Sequence, residues 1–368
     1  MKRILFFVFW AFCVLPLVSA VVNPDKPLRG VWDLNARKVW EINKLGGNPI
    51  VSPIITVSDN ETLCVYDEKF ALNYLVDKNG NLKTTFGKRG QGPGEVAREG
   101  LIFAVKDKLV IYDFPSKLHC FSNNGEYVKT HSISIEIIPY YFINENEFIS
   151  APPPVRENAE IKYVNLNTGN KRVIKEILYE ARVTRSGMVA AIPGFTKMLQ
   201  LSFDPQNQQI YYGMDDSYHI DMIDLDGKMI NSFSLRRPRP KISDEKKKEI
   251  IYNYFRGSRV EYESESAAKN LSNELTYFNR ILIEDGLVFI FLNNIVTNWK
   301  SQPIDIFSLD GKYLYNSIFT PGDGEFISNS LSFGDILVLK KGHLYVILEN
   351  SAGEAKIAKY KISLPMKK

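Results

Sequence analysis

Cysteine and histidine are both scarce in this sequence, three and four residues, and the two signs of charge nearly cancel. Of three cysteines, Cys13 lies in an apolar leader, which leaves Cys64 and Cys120. Two are too few to form a disulfide framework for so long a chain. Lys and Arg number 46 against 42 Asp and Glu; without Lys2 and Arg3 of the leader the balance is 44 against 42, a net of +2. That gives no reason to expect a nucleic-acid partner. Beyond the leader no apolar run approaches the roughly 20 residues of a spanning helix. The stretch TTFGKRGQGPGEV (84–96) holds four glycines, yet Gly94 is followed by Glu95 rather than Lys-Ser or Lys-Thr. No helical apolar period follows its G-x-G-x-G spacing, so neither a phosphate cradle nor a dinucleotide fingerprint is present, and no cofactor is expected.

What is present begins with MKRILFFVFWAFCVLPLVSA, a cationic start, an apolar run and small residues at Ser19 and Ala20. This reads as an export signal over 1–20, cleaved after Ala20, with 21–368 forming one domain in the periplasm or outside the cell. Cys13 lacks the small residues that precede a lipid-acceptor cysteine, so a lipid anchor is not expected.

The organising signal downstream is repetition. YLVDKNGNLKTTF, HCFSNNGEYVKTH, DMIDLDGKMINSF and DIFSLDGKYLYNS each read as strand, Asn-Gly or Asp-Gly turn, strand, with YVNLNTGNKRVIK a weaker copy. Such dipeptides suit two-residue hairpin turns with positive φ. A further strand precedes most hairpins, as in TLCVYD and KLVIYD, and a shorter one precedes that. Four strands per period of about 40–50 residues are the blades of a β-propeller. Five blades span 52–87, 101–135, 140–177, 198–235 and 278–320, and a sixth, 332–364, has three strands. The mature N-terminus, GVWDLNARKVWEINKLGG, supplies the missing outer strand and removes the open edge. The expectation is an all-β, six-bladed propeller closed by its N-terminal strand. Its one insertion, 236–276 between blades four and five, contains a helix with Ser243 as N-cap, Asp244 and Glu245 in its first turn, Gly257 as stop and an apolar stripe of Ile250, Ile251, Tyr254 and Phe255. That stripe either packs on the ring or closes over a site.

The repeat assigns ordinary roles to tempting residues. Cys120 shares a row with Leu75, Met222 and Ile306, and Cys64 shares one with Val110, so both read as core thiols. Asp215, Asp216, His219 and Asp221 resemble a metal set, but Asp221 aligns with Asp305 and His119, so no metal is expected. No catalytic residue is assigned.

FGKRGQGPGE, after a DKNG hairpin and before VIYD and FSNNGEYVKT, resembles the signature of exported TolB-like and NHL-like six-bladed propellers of Bacteroides-type bacteria. The resemblance implies fold and compartment rather than an activity. In such a ring the inter-blade crossings and the loops joining second to third strands share one face, called here the long-loop face; the tight turns occupy the other. GKRGQGPGE, TPGDGEF (320–326), APPPVRENAE and NNIVTNWKSQP all belong to the long-loop face, where binding is usually placed. TPGDGEF echoes Pro93-Gly94-Glu95 with Pro321-Gly322 and Glu325. Lys88, Arg89 and Arg98 would donate there, Glu95, Asp323 and Glu325 accept, and Trp299 offer an aromatic surface. The expected function is non-catalytic recognition of a glycan, peptide or protein; the alternatives are a hydrolase or lyase at the central channel, and for the glycine loop a purely structural turn.

Overall fold

The computed structural model describes residues 20–97, 100–151, 158–178, 192, 194–255, 264–328 and 337–365. The leader call, apart from Ala20, therefore lies outside the described residues, as do Arg98, Gly257 and the proposed start of blade six at 332. Six antiparallel sheets form the ring, with blades one to five at 53–86, 102–132, 139–178, 199–235 and 278–319. The second strand of a blade is covered on both faces by neighbouring blades, so Leu63–Asp67 is buried throughout. Outer strands such as Tyr127–Ser132 meet solvent and alternate between exposed and half-buried. Cys64 and Cys120 are buried free thiols, and burial pushes both above the ordinary thiol range. Between blades four and five the core is aromatic, with Phe307 near Phe233 and stacked on Tyr313, both at 4.9 Å between ring centres.

The tight turns differ from the two-residue form. Gly80, Gly125, Gly169, Gly227 and Gly311 all have positive φ, but Asn79, Asn124, Asp226 and Asp310 before four of them do not. A single left-handed glycine after a right-handed pair gives a type I turn with a glycine bulge. In four of the blades the strand register shifts just beyond that glycine, as between Leu75 and Val76. The residue opening each turn caps it: the Asp77 carboxylate accepts from the Asn79 and Asn81 amides, both at 2.9 Å, and the Asp224 carboxylate accepts from Asp226 and Lys228. A side-chain acceptor plus one glycine is enough to hold the bend.

Blade six is closed as expected by Arg37–Ile42, which pairs antiparallel with Ala355–Lys361. Its inner strand is in two pieces, Glu325–Ile327 and Leu337–Lys340, so the end of TPGDGEF belongs to the sheet rather than to a loop. The N-terminal segment also does more than close one blade. Ala20–Asn23 adds as a parallel fifth strand to Met229–Leu235 of blade four. Leu28, Arg29 and Trp32 amides then donate to Tyr313, Leu314 and Asn316 carbonyls along the outer edge of blade five at 2.8–2.9 Å. One strap thus covers the edges of blades four and five before completing blade six.

Asn23 fixes the strap's first turn. Its Nδ2 donates to the carbonyls of Ser234 and Gly311, and its Oδ1 accepts from the Tyr313 amide at 2.9 Å. Leaving those buried backbone groups unpaired costs about 1–3 kcal/mol each. Deleting 21–47 should therefore destabilise the whole ring, and Asn23→Ala alone should lower stability measurably in urea denaturation. A truncated protein that melts at the full-length temperature would contradict closure by the strap.

Candidate functional site

The long-loop face is anchored by a repeated buried carboxylate. Asp67, Asp113 and Asp215 stand at or just past the ends of second strands and are almost fully buried. Each accepts a backbone N–H from the incoming crossing: Val51 on Asp67 at 2.9 Å, Ala97 on Asp113 at 3.1 Å and Met198 on Asp215 at 2.8 Å. A crossing must leave sheet geometry on entering a new blade, and the carboxylate satisfies the amide it would otherwise strand. In blade two the clamp continues outward. His119 Nε2 lies 3.2 Å from Asp113, its Nδ1 2.8 Å from Thr130 Oγ1, and Thr130 Oγ1 3.0 Å from the Tyr127 hydroxyl. His119 and Asp113 are buried, so this chain ties the crossing to the outer strand. The four metal candidates are divided: Asp215 is a clamp, Asp216 pairs with Lys197 at 3.6 Å, and His219 pairs with Asp221 at 3.0 Å. Among the described residues no His, Cys, Asp and Glu group could hold a metal.

The glycine loop closes on itself. Gly92-Pro93-Gly94-Glu95 is a four-residue turn: Glu95 N–H donates to the Gly92 carbonyl at 3.0 Å and Gly94 sits at φ +74°, the position where a type II turn needs glycine. The Glu95 carboxylate reaches back to the Gly92 amide at 2.9 Å and to Lys88 Nζ at 3.3 Å. Those two donors hold it below the usual carboxylate range. A Cβ on Gly90 would displace the Glu95 carboxylate from its place, and a Cβ on Gly94 would lie 2.8 Å from Tyr127. Gly322-Asp323-Gly324-Glu325 repeats the turn, with Gly322 N–H on Glu325 Oε2 at 3.0 Å and Gly324 at φ +75°. The echo is therefore G-x-G-E, two residues out of step with an alignment on proline.

The other expected site residues fall in separate places. Lys88, Arg89 and Asp323 are exposed. Burial pulls the Glu325 carboxyl up, but Lys356 and Lys38, the latter at 3.0 Å, hold it below its usual range within blade six. Trp299, at φ +59°, packs against the insertion core, with Lys246 over its ring at 6.0 Å. The insertion itself contains two helices, α1 (Asp244–Phe255) and the unanticipated α2 (Ser264–Asn270). Ser243 caps α1 through the Lys246 amide at 3.2 Å. Ile250 and Ile251 are buried with Ala268 and Leu275 against Ile192, Phe195 and Ile295, so this part of the insertion is a packing element; the Tyr254 and Phe255 side chains lie outside the described residues.

A group that charge-based reading missed lies on the same face over blades two and three. Phe114, Ile135 and Tyr140 are 46%, 64% and 37% exposed. Phe114 is on the second-to-third loop of blade two and Ile135 on the next crossing, and the two segments are joined by Ile133 N–H on the Ser116 carbonyl at 2.8 Å. Tyr140 lies at the start of the inner strand of blade three, at a register shift between Pro139 and Tyr141. The Phe-Pro of YDFPSK was the available signal.

No family model matches the chain and no curated protein matches it. Among solved structures it is similar to a member of the DUF4221 family from Bacteroides vulgatus, with 11% identity and a TM-score of 0.58 over 91% of this chain and 98% of that one. It is also similar to a Bacteroides fragilis protein described as exported, with 10% identity and a TM-score of 0.51 over 94% and 100%. The likeness is one of fold. Among the described residues no helix is long and apolar enough to cross a membrane.

Two outcomes follow from this geometry. Burial pushes the Asp215 carboxyl well above its ordinary range. Folding therefore disfavours its charged form, a penalty present at neutral pH and relieved as pH falls through the folded value. Asp215→Asn keeps the acceptor for Met198 and should melt at or above the wild-type temperature at pH 7, losing that advantage on acidification, whereas Asp215→Ala should cost about 1–3 kcal/mol. Replacing Lys88 and Arg89 together with Ala should change stability by no more than about 1 kcal/mol. Gly94→Val, clashing with Tyr127 at positive φ, should destabilise clearly more in the same denaturation series.

Proposed function

We propose that this chain is an exported, non-catalytic binding propeller of the TolB-like or NHL-like kind, working in the periplasm or outside the cell. Its long-loop face takes a protein or peptide segment that presents apolar side chains. The observation that carries this reading is the exposed pair Phe114 and Ile135, whose segments are joined by the Ile133–Ser116 hydrogen bond, with exposed Tyr140 at the start of the next strand. Aromatic and aliphatic anchors at the centre of a polar rim are the usual source of binding energy between proteins. A glycan is a poorer fit to this patch, because Ile135 offers a sugar hydroxyl no hydrogen bond. Lys88, Arg89 and Asp323 would act at the rim, while Glu95 and Glu325 would preserve loop shape.

Hydrolase or lyase chemistry at the channel has one observation in its favour. Near the tight-turn mouth burial raises the Glu284 carboxyl, and burial pushes the Tyr141 phenol up to about 12 with Asp59, Glu284 and Asp204 nearby. Glu284→Gln abolishing a measured turnover would promote that reading.

The binding reading is tested by placing a photo-crosslinking amino acid at Ile135, and separately at Asp226 on the tight-turn face, in cells that export the protein. The captured partner is then titrated against wild type, Phe114→Ala and Ile135→Ser. Capture only from position 135, with affinity at least about tenfold weaker in each variant at unchanged melting temperature, is the expected result. Equal affinity in all three proteins would overturn it.

A further inference from the structure

The tight-turn face, to which the proposed partner does not bind, carries an open cavity of about 400 Å³ between blades two and three. Its walls are Val105, Lys106 and Asp107 of one inner turn, Asn144 to Glu147 of the next, and Asn167 of a third. One wall is rigid: Glu147 accepts from the Tyr163 hydroxyl, from Asn144 Nδ2 at 2.6 Å and from Asn165 Nδ2 at 2.9 Å. Glu145 is paired with Lys108, and Asn146 Oδ1 accepts from Lys129 Nζ at 3.2 Å. The side chains of Lys106, Asp107 and Asn167 are different. They surround the same space, and among the described residues none makes a hydrogen bond or ion pair.

Of the charged lining residues Lys106 stands against Asp107, Glu145 and Glu147, but Glu145 is neutralised by Lys108 and Glu147 is held by three donors, which leaves one ammonium and one carboxylate facing the space. An anion such as phosphate would meet three carboxylates, and a divalent cation would find one unpaired carboxylate, Asp107, beside the Lys106 ammonium. A neutral molecule whose groups both donate and accept suits an ammonium, a carboxylate and an amide left without partners. The cavity lies within the range that encloses small organic ligands, roughly 300–1,000 Å³. We infer that this cavity is a binding site for a neutral polyhydroxylated ligand, a mono- or disaccharide, held by Lys106, Asp107 and Asn167. With no aromatic side chain among the lining residues to stack on a sugar ring, affinity should be weak, about millimolar.

The test is saturation-transfer NMR on the whole mature protein with glucose, galactose, mannose, N-acetylglucosamine and maltose, and titrations with calcium and inorganic phosphate in parallel. Transfer to at least one sugar by wild type, weakened about tenfold or lost in Asp107→Ala/Asn167→Ala at unchanged melting temperature, is the expected outcome. Both substitutions lie on exposed turns, so folding should survive them. Transfer to none of the sugars, transfer equal in wild type and variant, or saturable binding of calcium or phosphate at these residues would each overturn the assignment. Loss of partner capture at Ile135 would leave it untouched, because the two sites lie on opposite faces.

Discussion

A propeller stands or falls on one non-covalent seam, the place where the last blade must be finished by the first residues of the chain. Each blade buries both faces against neighbours, so opening the ring at any point exposes two apolar sheets and two strand edges. Here the seam is Arg37–Ile42 on Ala355–Lys361, and the strap ahead of it spreads the load across blades four and five. The strap's entry is locked by a buried hub. Asp305 accepts from Arg237 at 2.8 Å and from the Tyr218 and Tyr313 hydroxyls, both at 2.6 Å, while Arg237 also holds Asp25 at 2.7 Å. A buried carboxylate with two hydroxyl donors and a paired guanidinium is tolerable; the same group with a partner removed is not. Through Asp25 the hub links the N-terminus to the blade-four exit, so seam, strap and insertion are coupled.

The ring itself was legible because its signals are local. A strand's alternation, a turn's single glycine and the capping Asp, Ser or Asn all lie within about a dozen residues, and recurrence multiplies their weight. Blade count, N-terminal closure, the rows of Cys64 and Cys120, and the Ser243 cap followed. The turn type did not, because an Asn-Gly pair fits both the two-residue turn and the bulged type I turn, and only the backbone distinguishes them. The strap on blades four and five was equally hidden: Ala20–Asn23 is four residues, its neighbour 212 residues away, and nothing in AVVN reports a parallel partner.

The candidate site was read less well, for a physical reason that the glycine loop makes plain. Lys88, Glu95 and Glu325 stood out because polar groups in irregular loops suggest ligands. Yet an irregular loop cannot pair its own amides in a ladder, so it must recruit side chains to satisfy them. Glu95 on Gly92 and Glu325 on Gly322 are that recruitment, and Asp67, Asp113 and Asp215 do the same for the crossings. Sequence shows that a carboxylate is present; it does not show whether the backbone has already claimed it.

The residues that would serve the proposed recognition are those the fold does not need. Exposing Phe114 and Ile135 to water is unfavourable, and neither holds a turn or a crossing in place, so their exposure has no structural return. Lys106, Asp107 and Asn167 are likewise unclaimed, although Asn165 beside them caps its turn and Glu147 is held by three donors. The two sets lie on opposite faces because the fold separates its loops by kind. Long crossings on one side need internal carboxylates and leave apolar side chains at their margins; short hairpins on the other are capped by their first residue and leave the next side chains free to line the spaces between blades. A six-bladed ring can therefore present an apolar patch on one face and a polar cavity on the other, each built from residues that the ring's own hydrogen bonding has passed over.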